Sequence, residues 1–347
     1  MKIAVLGYGT IGSGVVEVID TNRESIAKRA GEEIEVKYVL DLRDFPGSRI
    51  EKILTHDYRQ IVEDPEVGVI VETMGGTEPA YTFVKEALLR GKSACTSNKE
   101  LVAKHGAELL EIARQKKVNF LFEASVGGGI PIIRPLNQSI TADEIEEISG
   151  IVNGTTNYIL TKMSKEGMSF DTALARAQAK GYAERNPEAD IEGKDAGRKL
   201  AILSSLASGK QVDFEDIYME GISKITESDF KYAEALGAQI KLIARSKRQD
   251  GSFVAMVTPM LIRQTNPLYS VSGVFNAILV KGNMLGNVMF YGAGAGKLPT
   301  ASAVVSDVID AIKHKGKNII TIWSGHKLEL LNVLQAKNNF FVRVPEK

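Results

Sequence analysis

The chain has 347 residues, more than one small core holds, so two domains are expected. Hydrophobic residues make up 44% and charged residues 25%, the balance of an ordinary globular enzyme. The formal net charge is zero, which excludes a global field for nucleic acid or an anionic membrane, and the single cysteine, Cys95, excludes an intrachain disulfide or a cysteine-rich metal site.

No apolar run approaches the roughly 18 residues of a membrane span. Met1 to Gly7 reads as a strand rather than a signal peptide. A cytoplasmic protein fits these features. Ile3 to Leu6 is a short apolar strand that ends in Gly7-Tyr8-Gly9-Thr10-Ile11-Gly12. A helical pattern follows (Val15, Val16, Val18, Ile19). Glycines in this context let the backbone approach a pyrophosphate, and the helix start offers free N–H groups. The reading is a Rossmann-type dinucleotide-binding domain with Gly7, Gly9, Thr10, Ile11 and Gly12 at the cofactor.

Ile34 to Leu40 is strand two and ends at Asp41. An acid there can bond a ribose hydroxyl, although it lies beyond the usual interval of about 20 residues after the glycines. The first helix or its loop is therefore long. Arg43, just beyond, is placed to meet a 2′-phosphate instead, so NAD and NADP both stay open. Val67 to Glu72 is a third strand, followed by Thr73-Met74-Gly75-Gly76, small groups suited to a dinucleotide. Pro79 to Arg90 reads as a helix with Pro near its start. Ser93 to Thr96 is a fourth strand ending in Ser97-Asn98-Lys99. Lys99 then lies at the carboxyl edge of the sheet, where such sheets bind ligands. Cys95, inside that strand, reads as a small buried residue. Leu101 to Lys116 is the next helix.

Phe120 to Ala124 reads as a fifth strand before Ser125-Val126-Gly127-Gly128-Gly129-Ile130-Pro131. Free carbonyls in a glycine run, with Glu123 beside them, suit a hard monovalent or divalent cation; a flexible turn reads equally well. Near Pro135 the strand–helix alternation stops. Glu144 to Asn153 is a strand entering a Gly154-Thr155-Thr156 turn, and Asn157 to Lys165 a helix. Asp171 to Lys180 and Asp195 to Leu206 are further helices, the second with a packed stripe of Leu200, Leu203, Ser204 and Ala207. Phe253 to Met260, Gly273 to Val280 and Asn287 to Tyr291 are strand-like and suggest a mostly antiparallel sheet. Gly292-Ala293-Gly294-Ala295-Gly296 opens a helix from Thr300 to Lys313, as a cover over a dinucleotide or as a bare hinge. Lys313 to Lys317 reads as a solvated linker, not a nucleic-acid patch. The four histidines show no metal-ligand spacing.

Asp195 and Lys199 stand four apart on one predicted helix face, acid first. On a surface that pair is worth roughly 0.3–0.5 kcal/mol. In a closed site the carboxylate aims the ammonium at a substrate oxygen. A lysine so placed gives a proton to a carbonyl being reduced or takes one from an alcohol, help typically worth about 10²–10⁴ in rate. Glu184 and Asp190, in the polar loop before that helix, suit a substrate ammonium, with Gly154 and Thr155 as the floor. Glu188 reads as an ordinary loop acid.

At this point the chain resembles homoserine dehydrogenase. The resemblance rests on Glu72-Thr73-Met74-Gly75-Gly76, Ser97-Asn98-Lys99, Glu123 to Pro131, Asn153 to Ile159, Gly181 to Lys199, and Tyr291 to Gly296, in the family's order. It implies NAD(P)-dependent interconversion of L-homoserine and L-aspartate 4-semialdehyde in threonine and methionine biosynthesis. By matching position, Lys199 resembles the proton-transfer lysine and Asp195 the acid that orients substrate. Glu184 and Asp190 resemble the groups that receive the amino acid, and Lys99 a second lysine near substrate and nicotinamide. The carbonyls of Val126, Gly128 and Ile130, with Glu123, resemble a structural sodium site. Gly181 and Gly296 resemble backbone contacts to the cofactor. The family implies a homodimer built through the central sheet.

The expected organisation is a nucleotide-binding domain at 1–133, an α/β catalytic and dimerisation domain with a mixed or antiparallel sheet at 134–298, and a helix at 299–315 that returns to the first domain. Arg185-Asn186-Pro187 departs from the shorter acidic-proline step of many relatives. Many relatives also continue into a regulatory ACT domain. Residues 316–347 read as a linker plus, at Asn339 to Pro345, the opening strand of such a domain, so a core form is expected. Two rival readings are a phosphorylating semialdehyde dehydrogenase and a dinucleotide sensor without turnover. The first needs a cysteine thiolate, for which Cys95 is the single candidate. The second has no use for Lys199, Asp195 and Glu184 together.

Overall fold

The computed structural model describes residues 1–336, 338–342 and 344. Strands β1 (Lys2–Leu6), β2 (Glu35–Leu40), β3 (Leu54–Thr55), β4 (Val67–Glu72), β5 (Ser93–Thr96) and β6 (Phe120–Leu121) form a parallel sheet in the order β3-β2-β1-β4-β5-β6. Central β1, β4 and β5 are buried almost throughout because helices cover both faces of the sheet. The helices are α1 (Thr10–Thr21), α2 (Arg23–Ala30), α3 (Tyr58–Val62), α4 (Ala80–Leu89) and α5 (Lys99–Lys116). Two helices, α1 and α2, fill the long interval before Asp41.

The fifth strand is shorter than its sequence suggests. It pairs with β5 over two residues, Phe120 and Leu121. From Ala124 the chain enters a single helical turn, α6 (Ala124–Gly127). The cause is Glu123. Its carboxylate gathers the backbone N–H groups of Ile132, Ile133 and Arg134 at 2.6–2.8 Å and folds the segment back on itself.

The second half supplies β7 (Ile145–Ile151), α7 (Gly154–Glu166), α8 (Phe170–Ala179), α9 (Glu188–Ile191), α10 (Lys194–Ser208), β8 (Lys210–Gln211), β9 (Tyr218–Met219) and α11 (Glu227–Ala235). It continues with β10 (Ala238–Gln249), β11 (Ser252–Arg263), β12 (Phe275–Gly282) and β13 (Gly286–Ala293). The second sheet is mixed, in the order β13-β12-β7-β10-β11-β9, with only β9 parallel to its neighbour. The sequence offers no clear strand at β10: its apolar face (Ala238, Ile240, Leu242, Ala244) alternates with Lys241, Arg245 and Lys247 on the other face, and its second half is polar. Gly154-Thr155-Thr156 is the first turn of α7 rather than a separate turn. The Asn153 side chain accepts from the Thr156 N–H and starts the helix early.

The last helix, α12 (Lys297–Lys313), returns to the first sheet and lies on α1 so closely that a Cβ on Gly14 would come within 3.0 Å of Ala301 and Lys297. The segment after it is more than a linker. Trp323 is buried against Gly106 of α5, and β14 (Ser324–Lys327) pairs with β8. Asn339 to Val342 form no strand; Arg343 and Pro345 lie outside the described residues. Among the described residues no helix is long and apolar enough to cross a membrane.

Candidate active site

α10 packs against α5 on one side and against β7, β10 and β11 of the second sheet on the other. Asp195 and Lys199 stand one turn apart on it, and the Lys199 Nζ donates to Asp195 Oδ2 at 2.8 Å. It also donates at 2.8 Å to the carbonyl of Val152, at the exit of β7. An ammonium has three N–H groups, so one stays available to a ligand. Lys99 arrives from α5, a helix of the first sheet. Asn98 caps α5 through the Glu100 and Leu101 N–H groups and is anchored by its own Nδ2 to the Gly76 carbonyl. This sets Lys99 on the first turn, with its Nζ 3.3 Å from Asp195 Oδ1.

Two lysines from separate elements therefore share one carboxylate. Burial alone would push the Asp195 carboxyl up. The charges of Lys199 and Lys99 outweigh that and hold it well below the usual carboxylate range. Asn153 joins a second acid to the cluster, donating from Nδ2 to Asp190 Oδ1 (2.8 Å) and Asp195 Oδ2 (3.0 Å). Burial pushes the Asp190 carboxyl up, and the Asp195 charge adds to the rise. A cation arriving beside Asp190 would favour its charged form again. Sequence patterns gave Asn153 no role of its own. Its signal was the N-cap position, which hides a side chain that serves two acids as well.

Gly154 is glycine because a Cβ would lie 2.8 Å from the Val274 carbonyl. Thr155 donates to the Tyr182 carbonyl at 2.5 Å and so ties α7 to the loop that carries Gly181 and Glu184. Gly181 is exposed with φ +72° and open space above it. Glu184 is not drawn into the cluster. It is exposed, and among the described residues its carboxylate has no partner. Glu188, expected in a loop, opens α9 and pairs with Lys194 at 2.6 Å.

The glycine loop sits at the start of α1. A Cβ on Gly12 would lie 1.9 Å from the Gly7 carbonyl, and one on Gly7 (φ +92°) would press on Met74. Above Gly9 nothing lies within 4 Å of a Cβ, so the backbone beside Thr10 and Ile11 is open to an incoming phosphate. These residues fit a dinucleotide. Thr73 does not project a free hydroxyl, because its Oγ1 donates to Leu6 and Gly7 carbonyls and closes the loop. Ser97 is half-buried at the end of β5. Glu72, given no site role in the sequence, is buried between the strand ends and accepts from Thr96, Met74 and Gly75. At the ribose end Asp41 is fully engaged. Its Oδ2 takes the Tyr8 N–H (2.7 Å) and Arg43 Nη2, and its Oδ1 takes the Arg43 N–H and Nε. Gly296 (φ +115°) stands at the start of α12.

The carboxylate of Glu123 is committed to backbone N–H groups, so it contributes charge rather than a free ligand oxygen. Outside the helix ladders, no hydrogen bond among the described residues reaches the buried carbonyls of Val126, Gly128 and Ile130. Donor-free buried carbonyls fit a hard cation. No group of three or more His, Cys, Asp or Glu side chains is arranged for a metal among those residues. Burial pushes the Cys95 thiol well up, which removes the thiolate that a phosphorylating semialdehyde dehydrogenase requires.

The family model described as homoserine dehydrogenase matches residues 131–309, and one described as the homoserine dehydrogenase NAD-binding domain matches residues 7–123. A homoserine dehydrogenase of Synechocystis sp. is 47% identical over 90% of this chain and 73% of its own length. The crystal structure of a homoserine dehydrogenase from Thiobacillus denitrificans superposes with a TM-score of 0.85 at 44% identity, covering 90% of this chain and 73% of that one. A hyperthermophilic archaeal homoserine dehydrogenase in complex with NADPH gives 0.76 at 29% identity, over 89% and 97% of the two chains. Together with the glycine loop and the Lys199–Asp195–Lys99 cluster, these likenesses place the chain in the homoserine dehydrogenase family, the NAD(P)-dependent oxidoreductases that act on homoserine.

Proposed function

We propose that Lys199 is the proton-transfer group, that Asp195 and the Val152 carbonyl aim it, and that Lys99 completes the cluster from the nucleotide-binding domain at 1–133. The observation that carries this reading is the single Asp195 carboxylate shared by Lys199 and Lys99. Bound NAD(P) accepts the hydride when homoserine is oxidised to L-aspartate 4-semialdehyde. The Lys199 amine takes the hydroxyl proton, and in reduction its free N–H is given to the carbonyl oxygen. Asp190 and the unpaired Glu184 receive the substrate ammonium, over Gly154 and Thr155. Gly7 to Gly12 seat the pyrophosphate, with Met74, Ser97, Gly181 and Gly296 around the cofactor.

NADP is the cofactor the ribose end favours. Arg43 neutralises Asp41 and leaves a guanidinium 63% exposed beside the loop, which suits a 2′-phosphate better than a diol. A structural sodium ion suits the carbonyls of Val126, Gly128 and Ile130, with Glu123 supplying charge. The homodimer expected through the central sheet is supported by a cavity of about 990 Å³ on the second sheet. Ile243, Met256 and Met260 line it together with charged Glu147, Arg245 and Arg263, the site residues do not, and the exposed Leu334 and Phe340 at its rim are the apolar groups a second copy would cover. Absorbance at 340 nm during homoserine oxidation tests the reading. Wild type turns over, faster with NADP than with NAD, and Lys199→Ala loses about 10²-fold or more in kcat. Cofactor binding without turnover in the wild type would instead fit a sensor.

A further inference from the structure

The second sheet sends two turns toward the site, and β12 starts between them. β12 lies between β7 and β13. Its Ala277 faces Ile151, the last residue of β7. Its Asn276 faces Gly292, one residue before β13 ends. From Ile151 the chain runs into Asn153-Gly154-Thr155, over the carboxylates. From Ala293 it runs into Gly294-Ala295-Gly296 and α12.

Asn276 fills the space between these turns. A Cβ on Gly154 would lie 3.5 Å from its Oδ1. A Cβ on Gly294 would lie 2.0 Å from its Nδ2, 2.2 Å from its Cγ and 2.7 Å from its Cβ. Gly294 does not have a positive φ, so this side chain, not backbone strain, requires glycine there. Next to it, Asn157 of α7 donates to the Phe275 carbonyl at 3.0 Å and fixes the same strand end to the substrate helix. Asn276 is 2% exposed, and its Oδ1 has no hydrogen-bond partner among the described residues. Packing against the two turns, rather than a bond through that oxygen, holds it in place.

We propose that Asn276 is a positioning residue for hydride transfer, a spacer that fixes the distance between the substrate turn at Gly154 and the glycine loop at Gly294. The inference rests on the reading of Lys199, Asp195 and Gly154 as the substrate site. Hydride transfer from the carbinol carbon to the nicotinamide is steep in distance, so a misplacement of about 1 Å costs on the order of 10² in rate. A spacer of this kind acts on kcat and spares the contacts that set KM.

The test uses the full chain with homoserine and NADP. Asn276→Ala is expected to lower kcat roughly 10–100-fold. KM for both substrates stays within about threefold on that reasoning, and the isotope effect with C4-deuterated homoserine rises as the chemical step becomes limiting. Gly294→Ala presses a methyl into Asn276 and is expected to lower kcat as well. In the double variant that methyl takes the vacated space, so its loss is smaller than the product of the two single losses. Should Asn276→Ala melt below the assay temperature, Asn276→Thr, which shortens the side chain by one atom, is read in the same way. A kcat within twofold of wild type for the Asn276 variant, or losses that simply multiply, overturns the spacer. Lys199→Ala run alongside separates the two claims. If it stays active the site reading fails, and if it is inactive while Asn276→Ala is normal the spacer alone fails.

Discussion

Replacing Asn153 by serine removes two hydrogen bonds to the acids while keeping the helix cap. The Asn153 Oδ1 accepts the Thr156 N–H at 2.9 Å, a capping role that serine performs equally well. Its Nδ2 donates to Asp190 at 2.8 Å and Asp195 at 3.0 Å, which the shorter serine does not reach. Hydrogen bonds to charged groups contribute about 1.5–3 kcal/mol each, and 1.4 kcal/mol is about tenfold in rate. Part of the loss is offset because freed carboxylates find water, so kcat/KM for homoserine is expected to fall about 10–100-fold. Asn153→Ala should match that fall and lose about 1 kcal/mol more in urea unfolding, since it also lacks the cap. A pH signature accompanies both. The Asn153 bond holds the Asp190 carboxyl down against burial, so its removal shifts the acid limb of KM to higher pH. Steady-state assays across pH with urea melts of all three proteins decide it. A serine variant with kcat/KM within twofold of wild type would refute the reasoning.

Asp190→Asn should raise KM for homoserine about tenfold or more, by loss of a charge-assisted bond to the ammonium. It should also stabilise the fold at neutral pH. The folded-state carboxyl of Asp190 lies above its unfolded value, so its contribution is present in acid and lost as pH rises through the raised value; the gain therefore disappears in acid melts. Arg43→Ala should raise KM for NADP and leave KM for NAD unchanged or lower, because Asp41 is freed for a ribose hydroxyl. Lys241 is buried with one carbonyl partner, and burial lowers its ammonium to about 8. Folding then opposes its charge below that value, and stability recovers as pH rises toward the unfolded value. Lys241→Met should stabilise at pH 7 by about 1–2 kcal/mol, with the gain shrinking above pH 8 in urea melts.

The first sheet was legible because buried parallel strands are short runs of apolar or small residues, and Val67–Glu72 and Ser93–Thr96 match to the residue. The Asp195–Lys199 pair was legible because helical spacing alone puts the two on one face. What the chain order hid were contacts made across the fold. Lys99 reaches Asp195 only through the meeting of α5 with α10, and Asn153 reaches Asp190 only through the short helix α9 before α10. β6 read as too long because nothing in Phe120 to Ala124 announces that Glu123 will draw three later N–H groups onto itself. The segment after α12 read as a linker because its anchoring is by single residues, Trp323 above all, rather than by a periodic face. Glu184 was placed with the substrate by its loop position and by resemblance, and its exposed, unpaired carboxylate is assigned that role as a proposal.

The most direct measurement is chemical rescue of Lys199→Ala by a series of primary alkylamines. If the Lys199 amine carries the proton, added amines restore turnover, saturate in the vacated space, and follow amine basicity after correction for size. A variant that needs no rescue, or that stays inactive in every amine while still binding homoserine and NADP, would contradict the assignment.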